Sequence, residues 1–392
     1  MEFTFSVATL AAIIFPIIAA TFALGWAMRA VQNFLLRQNI KSLTDRVVVL
    51  QSEAQGHLWE ISRLQKQVRE FQTAPPSEES DLGTFNLIRN AVLGSNDSLW
   101  TLHADKLDEV RPKRPANAPT IVSVTNLKGG VGKTTVAINF GAFLNSVKNA
   151  RVLFVDADYQ GSLTNNLINA AKIENPPPQT APWLRFESSP EEILSTSVDI
   201  GKALPACHLI GASYRLSEDE NRSFVQWLIG ESTDDVRFRL ARFLWSPNIA
   251  ENFDYVLIDA PPRLGTAGVN ALCASSHVVV PTLMTQTSSE PIDQMLQMFK
   301  HTFKDLNSDL RLAGVIANQT YRSDLIARER AIIDNINQTL STYSNSRVFN
   351  RNIRMIASIL REAGTAIPYQ NHQDVRLAFD QLGQEILDSI HK

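Results

Sequence analysis

"NLKGGVGKTT", residues 126–135, follows the β-branched run "TIVSVT" (120–125) and leads into "TTVAINFGAFLNSV" (134–147). A buried strand, a glycine-rich turn and a helical pattern in that order give the context of a phosphate-binding loop. Gly129, Gly130 and Gly132 let backbone N–H groups turn inward without Cβ clashes, and the new helix offers its positive N-terminus to an anion. Val131 and Thr135 count with them as nucleotide-binding positions. Lys133 is placed to reach the β- and γ-phosphates of a nucleotide, and Thr134 to ligate Mg²⁺ through its hydroxyl. Against the strict pattern G-x-x-x-x-G-K-S/T one residue departs: Leu127 stands where the first glycine belongs. A second lysine, Lys128, precedes Lys133 by five positions, and a phosphate cradle alone does not require it.

Downstream, "RVLFVDADYQGSLT" (151–164) reads as a strand running into a loop with two carboxylates, Asp156 and Asp158. "FDYVLIDAPPRLGTAGVNAL" (253–272) is another buried strand, ending in Asp259 and followed by Pro-Pro-x-x-Gly. "HVVVPT" (277–282) and "LAGVIANQT" (312–320) supply two more strands. Strand-loop-helix alternation of this kind predicts an α/β fold with a doubly wound, mostly parallel sheet. Residues 165–250 are more irregular, and "PPPQTAPW" (176–183) reads as a surface insertion.

The loop K-G-G-x-G-K-S/T, together with these segments, resembles the ParA/MinD family of P-loop ATPases over about 119–392. The resemblance implies ATP and Mg²⁺ as ligands and a nucleotide-dependent sandwich dimer. Lys128 would then cross the dimer interface to the phosphates held by the other subunit, neutralising charge much as an arginine finger does. Asp158 would position the attacking water, with Asp156 supporting the Mg²⁺ region and Asp259 holding the ion through a water. Tyr159 replaces the family's usual proline. Pro281 and Asn318 fall where the family places nucleotide-base and ribose contacts. A separate protein partner that reads the nucleotide state is also implied.

The N-terminal part suggests attachments. Phe3 to Met28 is a run of 26 residues without charge, long enough as a helix, roughly 39 Å, to span a bilayer with some tilt. Arg29, Arg37, Lys41 and Arg46 follow it and no Lys or Arg precedes it, so the positive-inside rule predicts a single-pass anchor in the inner membrane with the ATPase in the cytoplasm. Ile40, Leu43, Val47, Leu50, Ala54, His57, Ile61, Leu64, Val68 and Phe71 recur at heptad spacing and predict a coiled coil that dimerises or multimerises the chain. The expected division is a transmembrane helix (1–35), a coiled coil (36–72), a linker with a short helical segment (73–118) and the ATPase domain (119–392).

Net charge is -3, which excludes a wholesale polyanion binder. Residues 311–361 nevertheless hold eight arginines against three acids, a local excess of +5. DNA contact through Arg322, Arg328, Arg330, Arg347, Arg351 and Arg354 is therefore kept as a weaker expectation. A tyrosine autokinase is the other alternative, disfavoured because no tyrosine follows Tyr369. Cys207 and Cys273 have neither metal-ligand nor disulfide-framework spacing and read as buried small hydrophobes.

Overall fold

The computed structural model describes residues 99–392 apart from 103–106, 180, 186–187, 233, 285–288, 321–324, 344–345 and 355–363. The apolar run 3–28 and the heptad seam 40–71 lie outside the described residues. Among the described residues no helix is long and apolar enough to cross a membrane. Even the 18-residue helix Gln373–Ile390 carries Asp374, Arg376, Asp380, Glu385 and Asp388, the polar face of an amphipathic helix. The expected inner-membrane location is corrected accordingly.

Among the described residues eight strands form one sheet in the order β3-β4-β2-β5-β1-β6-β7-β8. They are β1 (Thr120–Val124), β2 (Val152–Asp156), β3 (Val198–Asp199), β4 (His208–Ile210), β5 (Tyr255–Asp259), β6 (His277–Leu283), β7 (Arg311–Thr320) and β8 (Ile353–Arg354). Every pairing is parallel except β3 with β4. Alternate residues feed two cores. Ile121, Leu153, Val155, Val256 and Ile258 pack on one face. Val122, Val124, Val152, Phe154 and Leu257 pack on the other. A parallel sheet must be covered on both sides, which explains why its strands read as continuous apolar runs rather than alternating ones.

One face is covered by α1 (Lys133–Lys148) and, beside it over β7, the C-terminal helix Gln373–Ile390. Their approach is close: a Cβ on Gly141 would lie 2.2 Å from the Phe154 ring, and one on Gly383 would lie 2.4 Å from Phe143. The other face carries α2 (Arg215–Leu228) and α3 (Thr266–Ala274), with the helix Ala327–Tyr343 farther along. The strands expected from sequence are present. The two-residue edge strands β3 and β8 had no usable pattern.

Two segments read as surface connections are partly core. Trp183, at the end of the proline-rich stretch, is 1% exposed. Ahead of β1, Trp100, Leu102 and Leu107 are buried, and Trp100 stacks on Trp227 with centroids 6.4 Å apart. Arg237, itself fully buried, donates to the carbonyls of Trp100 and Leu102 at 2.7 and 2.9 Å. Its charge is met by Asp235, the pairing that a buried guanidinium requires.

Candidate nucleotide site

The carboxyl ends of β1, β2 and β5 open onto a cleft of about 400 Å³ lined by Gly129, Gly130, Gly132, Lys133, Thr134, Thr135 and Asp158, with Asn139, Ser162, Asn166, Pro262 and Gln319 around it. This is where open α/β sheets bind ligands. Gly130 and Gly132 have φ of +73° and +90°, which non-glycine residues rarely adopt. α1 begins at Lys133 with no side-chain cap and no acid in its first turn. Its first N–H groups therefore remain donors for an anion, and the helix dipole favours negative charge there.

Two asparagines tie the loop to neighbouring strands. Asn126 donates to the Pro281 carbonyl at 2.9 Å and accepts from the Lys128 backbone N–H at 2.9 Å. Asn318 donates to the Val131 carbonyl at 2.7 Å. Its amide packs so tightly that a Cβ on Gly132 would lie 2.2 Å away. Pro281 is buried within β6 and is not among the residues lining the cleft. Asn318 lies against the back of the loop, while its neighbour Gln319 lines the cleft. Lys128 is half-buried and does not line the cleft of its own chain.

The acidic residues divide by surroundings. Asp259, 1% exposed, accepts from the Thr134 hydroxyl at 2.6 Å through Oδ2, while its Oδ1 is buried with no hydrogen-bond partner. Such an orphaned oxygen is costly unless another group meets it. Burial, then the nearby Asp156 charge, holds the Asp259 carboxyl well above the usual range. Asp156 is already satisfied: Oδ2 accepts from the Thr164 N–H and hydroxyl at 2.9 and 2.7 Å, and Oδ1 from the Asp158 N–H at 3.1 Å. Burial still raises it to about 6. Lys133, 8% exposed, has its ammonium pKa lowered by burial, partly offset by the Asp259 and Asp158 charges.

Thr134 with the orphaned Asp259 oxygen fits a hard divalent cation, since Mg²⁺ is usually held by one or two protein oxygens plus substrate phosphate and water. Among the described residues no group of three or more His, Cys, Asp or Glu could hold a metal by itself. Any such ion would therefore depend on the nucleotide for further ligands. Sequence reasoning missed Asn126, which gave no signal beyond adjacency to the loop. It also missed Gln319, whose φ of +54° is not encoded by residue type.

A strand-loop-helix cradle at the mouth of a parallel sheet, with a capless helix and a Thr–Asp pair, defines a P-loop nucleotide-binding protein. Residues 119–312 match the AAA domain family. The sporulation initiation inhibitor protein Soj of Bacillus subtilis is 35% identical over 200 residues, covering 50% of this chain and 71% of that protein. The chromosome-partitioning ATPase Soj of Thermus thermophilus is 30% identical, covering 60% and 82%. The chain belongs to the Soj/ParA family of P-loop ATPases. Solved structures share the fold: McdA of Cyanothece in complex with ATP (TM-score 0.56, 20% identity, 69% and 97% covered) and cobyrinic acid a,c-diamide synthase of Mycobacterium smegmatis with an ATP analogue and magnesium (0.53, 22%, 69% and 94%).

Proposed function

We propose that the chain is a nucleotide-dependent dimerising ATPase switch that binds ATP with Mg²⁺ in the cleft and presents a different surface to a protein partner before and after hydrolysis. The observation that carries this is the buried, partnerless Oδ1 of Asp259 beside the Thr134 hydroxyl, at the foot of a capless helix. Bound there, Mg²⁺ would neutralise charge on the phosphates. The N–H groups of 129–135 and the Lys133 ammonium would orient the phosphates. Lys133 is kept close to the loop by its contact with the Lys128 carbonyl at 3.4 Å.

Asp158 lines the cleft, and its loop is pinned where Asp156 accepts its N–H. It is the carboxylate available to orient a water. Lys128, outside its own chain's cleft, would serve the nucleotide of a second copy, and the heptad spacing of 40–71 would keep that copy near. The positioning of cargo is drawn from the partitioning relatives, whose names describe that task.

DNA contact is the second reading, and the arginines speak weakly for it. Arg347 and Arg354 pair with Glu385 and Asp374, and Arg322 lies outside the described residues. Sedimentation of a chain lacking residues 1–72, so that the heptad segment cannot hold copies together, tests the main reading. Asp158→Ala should bind ATP, fail to hydrolyse it and accumulate as a dimer, while the parent with ADP sediments as the smaller species. A distribution indifferent to nucleotide would overturn the switch.

A further inference from the structure

Beyond the P-loop the cleft is lined by Asp158 and Pro262, and behind them runs a side-chain relay that begins on α2, more than forty residues from either loop it joins. Glu220, 4% exposed, reaches in two directions. Its Oε2 accepts from Arg263 at 2.6 Å, and its Oε1 accepts from the Ala267 N–H at 2.8 Å, in the first turn of α3. A buried carboxylate is stable only when paired and hydrogen-bonded, and here the cation and the helix start supply both. The guanidinium gripped in this way lies 5.2 Å from the centre of the Tyr159 ring, within the range of a cation–π contact. Tyr159 also meets Tyr214, the residue preceding α2, edge-on at 6.2 Å.

Tyr159 is the neighbour of Asp158. No ring constrains its backbone, as a proline would, so the direction in which Asp158 faces depends on what holds the tyrosine. The Asp156 carboxylate fixes the start of this loop through the Asp158 N–H, and Asp158 in turn accepts from the Gln160 N–H at 3.1 Å. Tyr159 gives the loop a side-chain contact with Arg263 in the 261–266 segment.

We propose that Arg263 is a positioning residue for hydrolysis: gripped by Glu220, it holds the Tyr159 ring and so keeps the Asp158 carboxylate turned into the cleft. This rests on the assignment of Asp158 as the residue that orients water.

The test is a double-mutant cycle on the full chain, measuring kcat, KM for ATP, equilibrium ATP binding and thermal midpoint. Tyr159→Ala and Arg263→Ala should each lower kcat about 2- to 5-fold, the loss expected of one partly exposed cation–π contact, with ATP binding unchanged. The double variant should be no worse than either single one, because the two changes break the same contact. Tyr159→Phe should keep the parental kcat, since the ring and not the hydroxyl faces the guanidinium. Additive losses, a KM that rises in proportion, or a Phe variant as impaired as Ala would overturn the proposal by reducing the pair to general support. Asp158→Ala is run in parallel. If it hydrolyses ATP normally, the assignment beneath the proposal fails with it. If it is inactive while the Tyr159 and Arg263 variants turn over like the parent, only the latch fails.

Discussion

The two walls of the cleft are built on different plans. The P-loop wall is a stretch of ten residues whose shape is set by glycine dihedrals, a capless helix and two asparagines anchored in β6 and β7. The other wall presents Asp158 and Pro262 to the cleft and is backed by Asp156, Tyr159, Glu220 and Arg263, from three separate parts of the chain. A preformed backbone cradle costs little to fill and suits tight phosphate binding. A wall of side chains can adopt a second arrangement and suits a step that must be switched. Binding should therefore fail when the first wall is changed, and turnover when the second is.

Lys128 is the sharpest challenge to that division, because it belongs to the same ten-residue stretch, without lining the cleft, and is assigned to turnover. Lys128→Ala should lower hydrolysis by about 10³- to 10⁵-fold, the scale of a lost arginine finger, while ATP still binds. Equal loss in a turnover assay and in equilibrium binding would make the lysine part of the cradle. The heterodimer supplies the complementary result: mixing Lys128→Ala with Asp158→Ala chains should restore one working site.

The second wall is backed by Trp100, which packs on Phe224 and Trp227 of α2 with centroids 5.3 and 6.4 Å away. Trp100→Ala removes a large buried side chain and should cost about 3–5 kcal/mol, lowering Tm by roughly 6–20 °C. A change confined to a degree or two in calorimetry would mean that the segment before β1 merely rests on the domain.

Gly132→Ala tests the rigidity of the first wall. Its φ of +90° and the Asn318 amide 2.2 Å from the added Cβ force the loop to move, at a cost of about 1–3 kcal/mol, or 5- to 150-fold in ATP affinity. Titration calorimetry of ATP reads this directly. An unchanged affinity would show that the loop tolerates a second conformation and that the contrast between the walls is false.

The P-loop wall was legible in the sequence because its determinants are contiguous: strand, glycines, lysine, threonine and helix follow one another from 120 to 148. Asp259 could be found for a similar reason, at the end of an apolar run. Glu220 could not. It lies in "RLSEDENR", where nothing local separates it from Glu218 or Asp219, and its role depends on α2 crossing the 261–266 segment. Trp183 and Trp100 were hidden by their company, since prolines and charges around them read as connection while each aromatic ring turns inward. Pro281, a position carried over from the family resemblance, lies inside β6, where its carbonyl accepts from Asn126.

A pH effect contrasts the cleft end of the sheet with its far end. At the start of β6, His277 hydrogen-bonds to Ser276 at 3.0 Å. Burial, then the Arg114, Arg311 and His391 charges, lowers it from 6.5 to about 4. The folded state thus binds fewer protons than the unfolded chain between those values, so His277 makes stability fall as pH drops from 6.5 toward 4. Asp156, raised from 3.8 to about 6, acts with the opposite sign: the folded state holds the extra proton, and stability falls as pH rises from 3.8 to 6. The windows overlap, so the two ends of the sheet partly cancel. His277→Gln removes one side of that balance. In nucleotide-free thermal melts, the Tm difference between variant and parent should stay constant above pH 6.5 and shift steadily in the variant's favour down to pH 4. A difference independent of pH would mean that His277 titrates normally in the folded protein.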